Sequence, residues 1–253
     1  MMRRVLITGG AKRIGAAIAR ALSADGWHVV VHFHRSEAEA VALAEELRAG
    51  GGRCDILQAD LADAGAVLEL VPRAGPLDCL VNNASRFAFD DIGSVTAESL
   101  NAHMGPNLVA PLLLSQAFAE QAPAGREGEK SDRCIINLLD QKVKNLNPDF
   151  LSYTLSKVAL AGLTEMLAMA LAGRVRVCGV APGLTLISGK QTEQSFARAW
   201  AATPLGRSST PAEVAACVRF ILATPSITGQ VIVLDGGESL QRRARDVAFD
   251  RSV

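Results

Sequence analysis

A single tyrosine, Tyr153, serves the whole 253-residue chain. A residue used once is not generic core filler, so its surroundings need an explanation. Other scarcities narrow the field first. No run approaches the roughly 20 consecutive apolar residues of a membrane-spanning helix, so no membrane association is expected. The opening Met1-Met2-Arg3-Arg4 does not lead into the apolar stretch of a secretory signal. Lys+Arg and Asp+Glu balance at 26 each, which leaves no overall field to attract nucleic acid or an anionic lipid surface. The five cysteines (Cys54, Cys79, Cys134, Cys178, Cys217) lack C-x-x-C or metal-ligand spacing, and the four histidines, His32 and His34 among them, form no metal set. No metal is expected, and the thiols read as small buried hydrophobes of a reducing, cytoplasmic compartment. With 49% hydrophobic residues, the chain suits one α/β domain with a sizeable core.

Tyr153 stands at i and Lys157 at i+4 of a helical run, with Asp140 upstream. On a helix this spacing puts phenol and ammonium on one face, where the cation is placed to stabilise a phenolate. A free phenol has a pKa near 10, and each unit of depression needs about 1.4 kcal/mol of preference for the anion. An isolated Y-x-x-x-K is ordinarily a solvated polar pair, so context must decide.

That context begins at the first residues. Arg4 to Ile7 reads as a short strand leading into Thr8-Gly9-Gly10-Ala11-Lys12-Arg13-Ile14-Gly15. Ile14, Ala17, Ile18, Ala21 and Leu22 then recur at helical spacing, and Gly26 follows as a stop. Strand, glycine turn and helix form the entry of a dinucleotide site, in which the pyrophosphate sits on a helix N-terminus. The spacing does not match G-x-G-x-x-G. Further strands are expected at 27–33, 53–58, 77–81, 134–139, 175–180 and 231–234. Helices are expected at 37–49, from about 150 to 172, and in a stretch ending near Gln121 that Pro106 and Pro111 should kink or delay. Residues 122–132 read as a polar loop. This rhythm predicts a Rossmann-type, doubly wound parallel sheet of about seven strands with flanking helices. Residues 184–203 interrupt it as a candidate substrate lid, and 242–253 form a polar tail of unassigned role.

The glycine turn, Asn82-Asn83-Ala84-Ser85, Asn107, the Tyr153/Lys157 pair and Ala181-Pro182-Gly183 together resemble the short-chain dehydrogenase/reductase family, in order and spacing over nearly the whole chain. Within it the likeness is greatest to the pteridine and dihydromonapterin reductases, which share the arginine of the glycine turn, the H-x-H-R-S run at His32 to Ser36, and an aspartate at the position of Asp140. The resemblance implies a catalytic set of Asp140, Tyr153, Lys157 and Asn107, the last a structural asparagine near the lysine. It implies cofactor contacts from Gly9, Lys12, Arg13 and Ile14; from Phe33, His34, Arg35 and Ser36; and from Asp60 and Leu61 at the adenine. Asn83, Ala84, Ser85, Tyr153, Lys157, Pro182, Gly183 and Thr185 would line the nicotinamide. Substrate would meet Arg13, Ser85, Phe87, Asp140, Tyr153 and Leu184. Asp60 alone reads equally as a helix N-cap. A homotetramer is the family's usual assembly.

Charge selects the cofactor. An NAD enzyme usually places an acid after the second strand; here Arg35 and Ser36, with Lys12 or Arg13, are suited to a 2′-phosphate, which predicts NADPH. Asp140 replaces the serine of most relatives. An ionised aspartate has no proton to give a carbonyl and would repel a developing alkoxide, so it suits a C=N substrate such as a pteridine ring. Its competing uses are a strand-end cap or an ion pair with Lys142 or Lys144. Phe87 is placed to stack on a flat bicyclic ring, with Phe89 as an alternative and core packing as the competing use. The leading reading is an NADPH-dependent dihydropteridine reductase. A carbonyl reductase such as a 3-oxoacyl reductase is the runner-up, and a catalytically idle NADPH-binding regulatory protein the third.

Overall fold

Runs such as Val5-Leu6-Ile7 and Val29-Val30-Val31 carry no polar alternation, so strands built from them must be covered on both faces. The computed structural model, which describes residues 2–121, 132–187, 191–247 and 249, meets that demand. The strands are β1 (Arg4–Ile7), β2 (His28–Phe33), β3 (Arg53–Gln58), β4 (Cys79–Asn82), β5 (Cys134–Leu138), β6 (Arg176–Pro182) and β7 (Val231–Leu234). They form one seven-stranded sheet in the order β3-β2-β1-β4-β5-β6-β7. Every pairing is parallel. This is the doubly wound Rossmann-type sheet that the sequence predicts.

The helices are α1 (Arg13–Ala24), α2 (Glu37–Ala49), α3 (Ala64–Ala74), α4 (Ala97–Met104), α5 (Ala110–Glu120), α6 (Leu151–Ala170), α7 (Glu193–Ala201) and α8 (Pro211–Ala223). The pleat sends alternate strand residues to opposite faces. Val5, Ile7, Val29 and Val31 thus pack with α1, α2 and α8, whereas Leu6, Val30 and Ile135 pack with α3 and α5. Two layers of apolar side chains result, each closed by helices.

Three local outcomes are decided by the fold. Pro72 lies inside α3. Burying Val67, Leu70 and Val71 contributes roughly 1.5–3 kcal/mol each, together more than the ~3 kcal/mol that an interior proline costs. Pro106 produces a π-helical turn, Gly105–Val109, between α4 and α5. The N-cap after β3 is Asp63, which accepts from the amides of Gly65 and Ala66; Asp60 instead accepts from the amide of Ala62 in its own turn. The loop at 122–132 lies outside the described residues except for Asp132. The candidate lid carries α7, with 188–190 outside the described residues.

The chain runs outward from β1 to β3 and returns to place β4 against β1's other edge. A crevice opens at the carboxyl ends of such a switch point. Its floor is tight. Gly9 has φ +59°, and a Cβ there would stand 3.0 Å from the Cα of Ala84. At Gly15 a Cβ would meet the Gly9 carbonyl oxygen at 2.5 Å and Asn83 Nδ2 at 2.7 Å. Gly15→Ala should therefore lower stability by about 1–3 kcal/mol, seen as a lower denaturant midpoint with unchanged slope. An unaltered midpoint would mean that α1 shifts freely on the turn.

Candidate active site

The turn after β1 is held from both neighbouring strands. The Asn83 side-chain amide donates to the carbonyls of Thr8 (2.8 Å) and Gly9 (3.1 Å), and Thr8 Oγ1 accepts from the amides of Asn83 (2.9 Å) and Ala84 (3.0 Å). From β2, His32 Nδ1 lies 3.1 Å from the Gly9 amide and Nε2 lies 3.1 Å from the Ala59 carbonyl. Burial lowers the His32 pKa to about 4, so the ring is neutral, accepts at Nδ1 and donates at Nε2. The sequence places His32 in the H-x-H-R-S run and excludes it as a metal ligand, but its hold on the glycine turn is visible only in the fold; its position inside an apolar strand was the available signal. The first-turn amides of α1, which follows this turn directly, have no intrahelical acceptor.

A second cluster lies at the ends of β5 and α6. Asp140 follows β5, and its Oδ1 accepts from the Lys142 amide at 2.9 Å while Oδ2 accepts from the Tyr153 phenol at 2.8 Å. It thus fills both roles open to it, strand-end cap and partner of the tyrosine. Burial raises its pKa against the hydrogen bonds from Lys142 and Tyr153. The Tyr153 phenol is pushed well above its ordinary value by burial, then by the adjacent carboxylate. Lys157 does not lower it in this arrangement. The Lys157 ammonium donates to the Leu138 carbonyl at 2.7 Å and lies 5.8 Å from the phenol ring centroid. Burial brings the Lys157 pKa down to about 8. The cluster holds protons on Tyr153 and shares them with Asp140, which is the electrostatics of a donor rather than of a standing phenolate.

Asn107, fully buried on the π-helical turn, connects the two clusters. Its Oδ1 accepts from the Arg86 amide at 2.7 Å and the Ser85 hydroxyl at 3.3 Å, while Nδ2 donates to the Arg86 carbonyl and to Ser156 Oγ on α6. The start of α6 is capped from afar. Asp90, buried and absent from the sequence reading, accepts from the Ser152 amide (2.9 Å) and the Ser152 and Ser99 hydroxyls, and its carbonyl accepts from the Leu151 amide. Phe150 occupies the N-cap position without a side-chain cap of its own, although Asp149 and Ser152 flank it, so the cap comes from a residue distant in sequence.

An aromatic wall stands beside Tyr153. Phe87 stacks on Phe150 at 4.5 Å and meets Tyr153 edge-on at 4.7 Å, yet remains 41% exposed, so one side of its ring is free. Phe89 meets Phe150 edge-on at 5.3 Å. On the opposite rim, the Arg13 guanidinium donates to the carbonyls of Ile187 (2.8 Å) and Leu186 (3.4 Å), tying the glycine turn to the lid segment. Leu184 accepts from the Trp200 indole of α7, and Thr185 bonds Gly183 and Ser209. Pro182 closes β6.

Other residues stand apart from the centre. Arg35 is exposed and Ser36 half-buried after β2. Lys12 pairs with Glu39 at the surface, and His34 lies 3.6 Å from Asp60. Phe33 and Leu61 are buried in the core, and Ile14 packs against it. No group of three metal-ligating side chains occurs among the described residues.

Because Tyr153 is the chain's only tyrosine, phenolate absorbance reports this one group. The unaltered protein should show no phenolate until well above the ordinary pKa of about 10. Asp140→Asn removes the charge that opposes ionisation, so the absorbance step should move to lower pH. A step that does not move would detach Asp140 from the phenol.

The short chain dehydrogenase family model matches residues 3–197. Pteridine reductase 1 of Leishmania tarentolae is 34% identical, over 94% of this chain and 96% of its own. The 3-oxoacyl-(acyl-carrier-protein) reductase of Synechocystis sp. is 33% identical, over 92% of this chain and 95% of its own. The solved structure of FolM alternative dihydrofolate reductase 1 from Brucella suis, in complex with NADP, superposes with a TM-score of 0.88 at 40% identity, covering 95% of this chain and 96% of that one. Six of the seven strands, the glycine turn and the Tyr153–Lys157 helix fall within residues 3–197, and the chain belongs to the short-chain dehydrogenase family.

Proposed function

We propose that the protein is an NADPH-dependent reductase that converts a dihydropteridine, of the dihydromonapterin kind, to its tetrahydro form. The observation that carries this reading is the buried Asp140 carboxyl bonded to the Tyr153 phenol at 2.8 Å. A carboxyl with a raised pKa beside a neutral phenol suits delivery of a proton to a ring nitrogen. The same carboxyl, when ionised, opposes the alkoxide formed from a ketone. Asp140 therefore favours C=N over C=O, and the exposed face of Phe87 offers a flat ring somewhere to stack.

The residues present fit a phosphorylated dinucleotide. The positive φ at Gly9 brings bare backbone to the crevice beside the unspent amides of α1. The run after β2 is His34-Arg35-Ser36, without a carboxylate, and Arg35 is exposed. Arg35 and Ser36 would hold the 2′-phosphate; Gly9, Arg13 and Ile14 the pyrophosphate; Asp60 and Leu61 the adenine. Asn83, Ala84, Ser85, Pro182, Gly183 and Thr185 would flank the nicotinamide, with Lys157 on its ribose. Bound there, NADPH would supply the hydride, its oxidation to NADP+ balancing the reduction. The chain supplies the proton from Tyr153, replenished through Asp140. Arg13, between turn and lid, would hold the substrate's polar edge, and Leu184 would close over it. Adding hydride and proton across one C=N bond completes the balance.

NADPH consumption with a dihydropteridine, compared with an acetoacetyl thioester, tests the reading. Turnover of the pteridine should dominate, and turnover of the thioester alone would overturn it in favour of a carbonyl reductase. Tyr153→Phe should lower kcat by about 10²-fold or more while NADPH still binds. Arg35→Ala should weaken NADPH by roughly ten- to a hundredfold and leave NADH nearly unchanged, as loss of a charge-assisted phosphate contact requires.

We also infer a homotetramer. Leu112 and Val109 at the start of α5 and Leu155, Val158, Met166 and Met169 on α6 are left exposed, an apolar display that a second copy would cover. Sedimentation should give a tetramer that Met166→Glu dissociates; a monomer in the unaltered protein would refute this.

A further inference from the structure

The stretch between Asp140 and Tyr153 carries both ends of the proposed proton relay, yet little regular structure holds it. Only a 3-10 turn, Gln141–Val143, lies between the aspartate and α6. Phe150, just before α6, adopts φ +55° and ψ +49°, a left-handed conformation that a bulky side chain rarely takes and that needs outside support.

Residues after β7 supply that support. Glu238 Oε1 accepts from Gln141 Nε2 at 3.3 Å, and the Gln241 carbonyl accepts from Asn145 Nδ2 at 2.8 Å. Arg245 clamps Asp149, its Nε and Nη2 reaching the carboxylate at 2.8 and 2.7 Å, and the Asp246 amide donates to the same carboxylate at 2.7 Å. Asp149 is only 1% exposed, so its charge depends on these donors, and they hold its pKa below the usual range against burial. Asp246 forms an ion pair with the Lys142 ammonium at 2.5 Å, the lysine side chain being 4% exposed. The Phe249 ring meets Phe89 at 5.0 Å and Phe150 at 5.9 Å, closing the aromatic wall from behind.

We propose that residues 241–247, together with Phe249, form a strap that sets the position of Asp140 and Tyr153, with Arg245 and Asp246 as positioning residues for the reaction. The geometry gives the reason. The strap's hydrogen bonds and ion pairs described above end on the loop at 141–150, with Phe249 also packing on Phe89, so that freeing the strap releases both the turn that Asp140 caps and the left-handed Phe150 from which α6 departs. None of the anchors lies on the glycine turn or on the run after β2, so cofactor binding should be spared. The polar tail that no sequence motif explained thereby acquires a role. Its influence extends to charge, since Asp246 adds to the field that keeps the Tyr153 phenol protonated.

The inference rests on Asp140 and Tyr153 being the proton-handling pair, so its test has an arm that needs no substrate. In the full chain, Arg245→Ala and Asp246→Asn should each speed amide hydrogen exchange over residues 141–150 by about tenfold, with β1 and α1 unchanged. Each should also lower kcat for the reduced pteridine by roughly ten- to a hundredfold while NADPH affinity stays within about twofold. Asp246→Glu should restore much of the rate. Phe249→Ala, which breaks no ion pair, should give a milder form of the same pattern should Arg245→Ala not fold. Unchanged exchange at 141–150 would overturn the proposal whatever the substrate proves to be. So would equal losses in kcat, NADPH affinity and melting temperature, which mark general destabilisation. Absence of pteridine turnover by the unaltered protein, with exchange at 141–150 still responding, would refute the substrate reading and leave the strap standing.

Discussion

The close approach of the glycine turn to the end of β4 is the constraint on which the rest depends. Backbone meets backbone there because Gly9 and Gly15 carry no side chain. The polar groups crowded into that contact are satisfied by Asn83, Thr8 and His32. A buried polar contact with these partners removed would be a defect rather than a binding site. Once it is satisfied, the crevice at the switch point is fixed beside the N-terminus of α1. The choice of a neutral imidazole at His32 follows from the same burial, since a charged ring in this place would be left without a counterion.

The second determinant is the low polarity around Asp140, Tyr153 and Lys157. Burial pushes all three towards their uncharged forms: the carboxyl and phenol upward, the ammonium downward. Burial thus brings the carboxyl and the ammonium nearer neutrality and takes the phenol further from it, so the phenol keeps its proton until the substrate takes it. The i,i+4 pair suggested a phenolate stabilised by lysine. The fold instead gives the phenol an acid to donate to and gives the lysine a backbone carbonyl, so Asp140 governs the tyrosine in this arrangement. Asn107 and Asp90 then bind this cluster to the crevice, one through Ser156 and the Ser85–Arg86 backbone, the other by capping α6.

Much of the scaffold was legible in the chain. Val5-Leu6-Ile7 and the other uninterrupted apolar runs are strands because a parallel sheet covered on both faces has no use for alternation. The strands at Arg4–Ile7, Arg53–Gln58 and Val231–Leu234 and the helix at Glu37–Ala49 fall where the sequence placed them. Pro106 breaks the regular helix as its ring requires, but that the break is a π-helical turn, and that Pro72 sits inside α3, are tertiary outcomes. Phe33, at the end of β2, is buried because both faces of the sheet are covered, and Leu61 is buried in the turn after β3, where it packs with α3.

The sequence by itself determined the parallel sheet, the glycine turn, the pairing of Tyr153 with Lys157 on one helix face and the uncommon aspartate at 140. Each of these is a short-range pattern, written in residue types a few positions apart. Only the tertiary structure decided how Asp140 is buried, what His32 bonds, which acid caps α6 and what the polar tail does. Asp90 reaches Ser152 across 62 positions and Arg245 reaches Asp149 across 96. Contacts of that span leave no periodic trace in the chain, because they are selected by the surfaces that folding brings together rather than by the geometry of any one element.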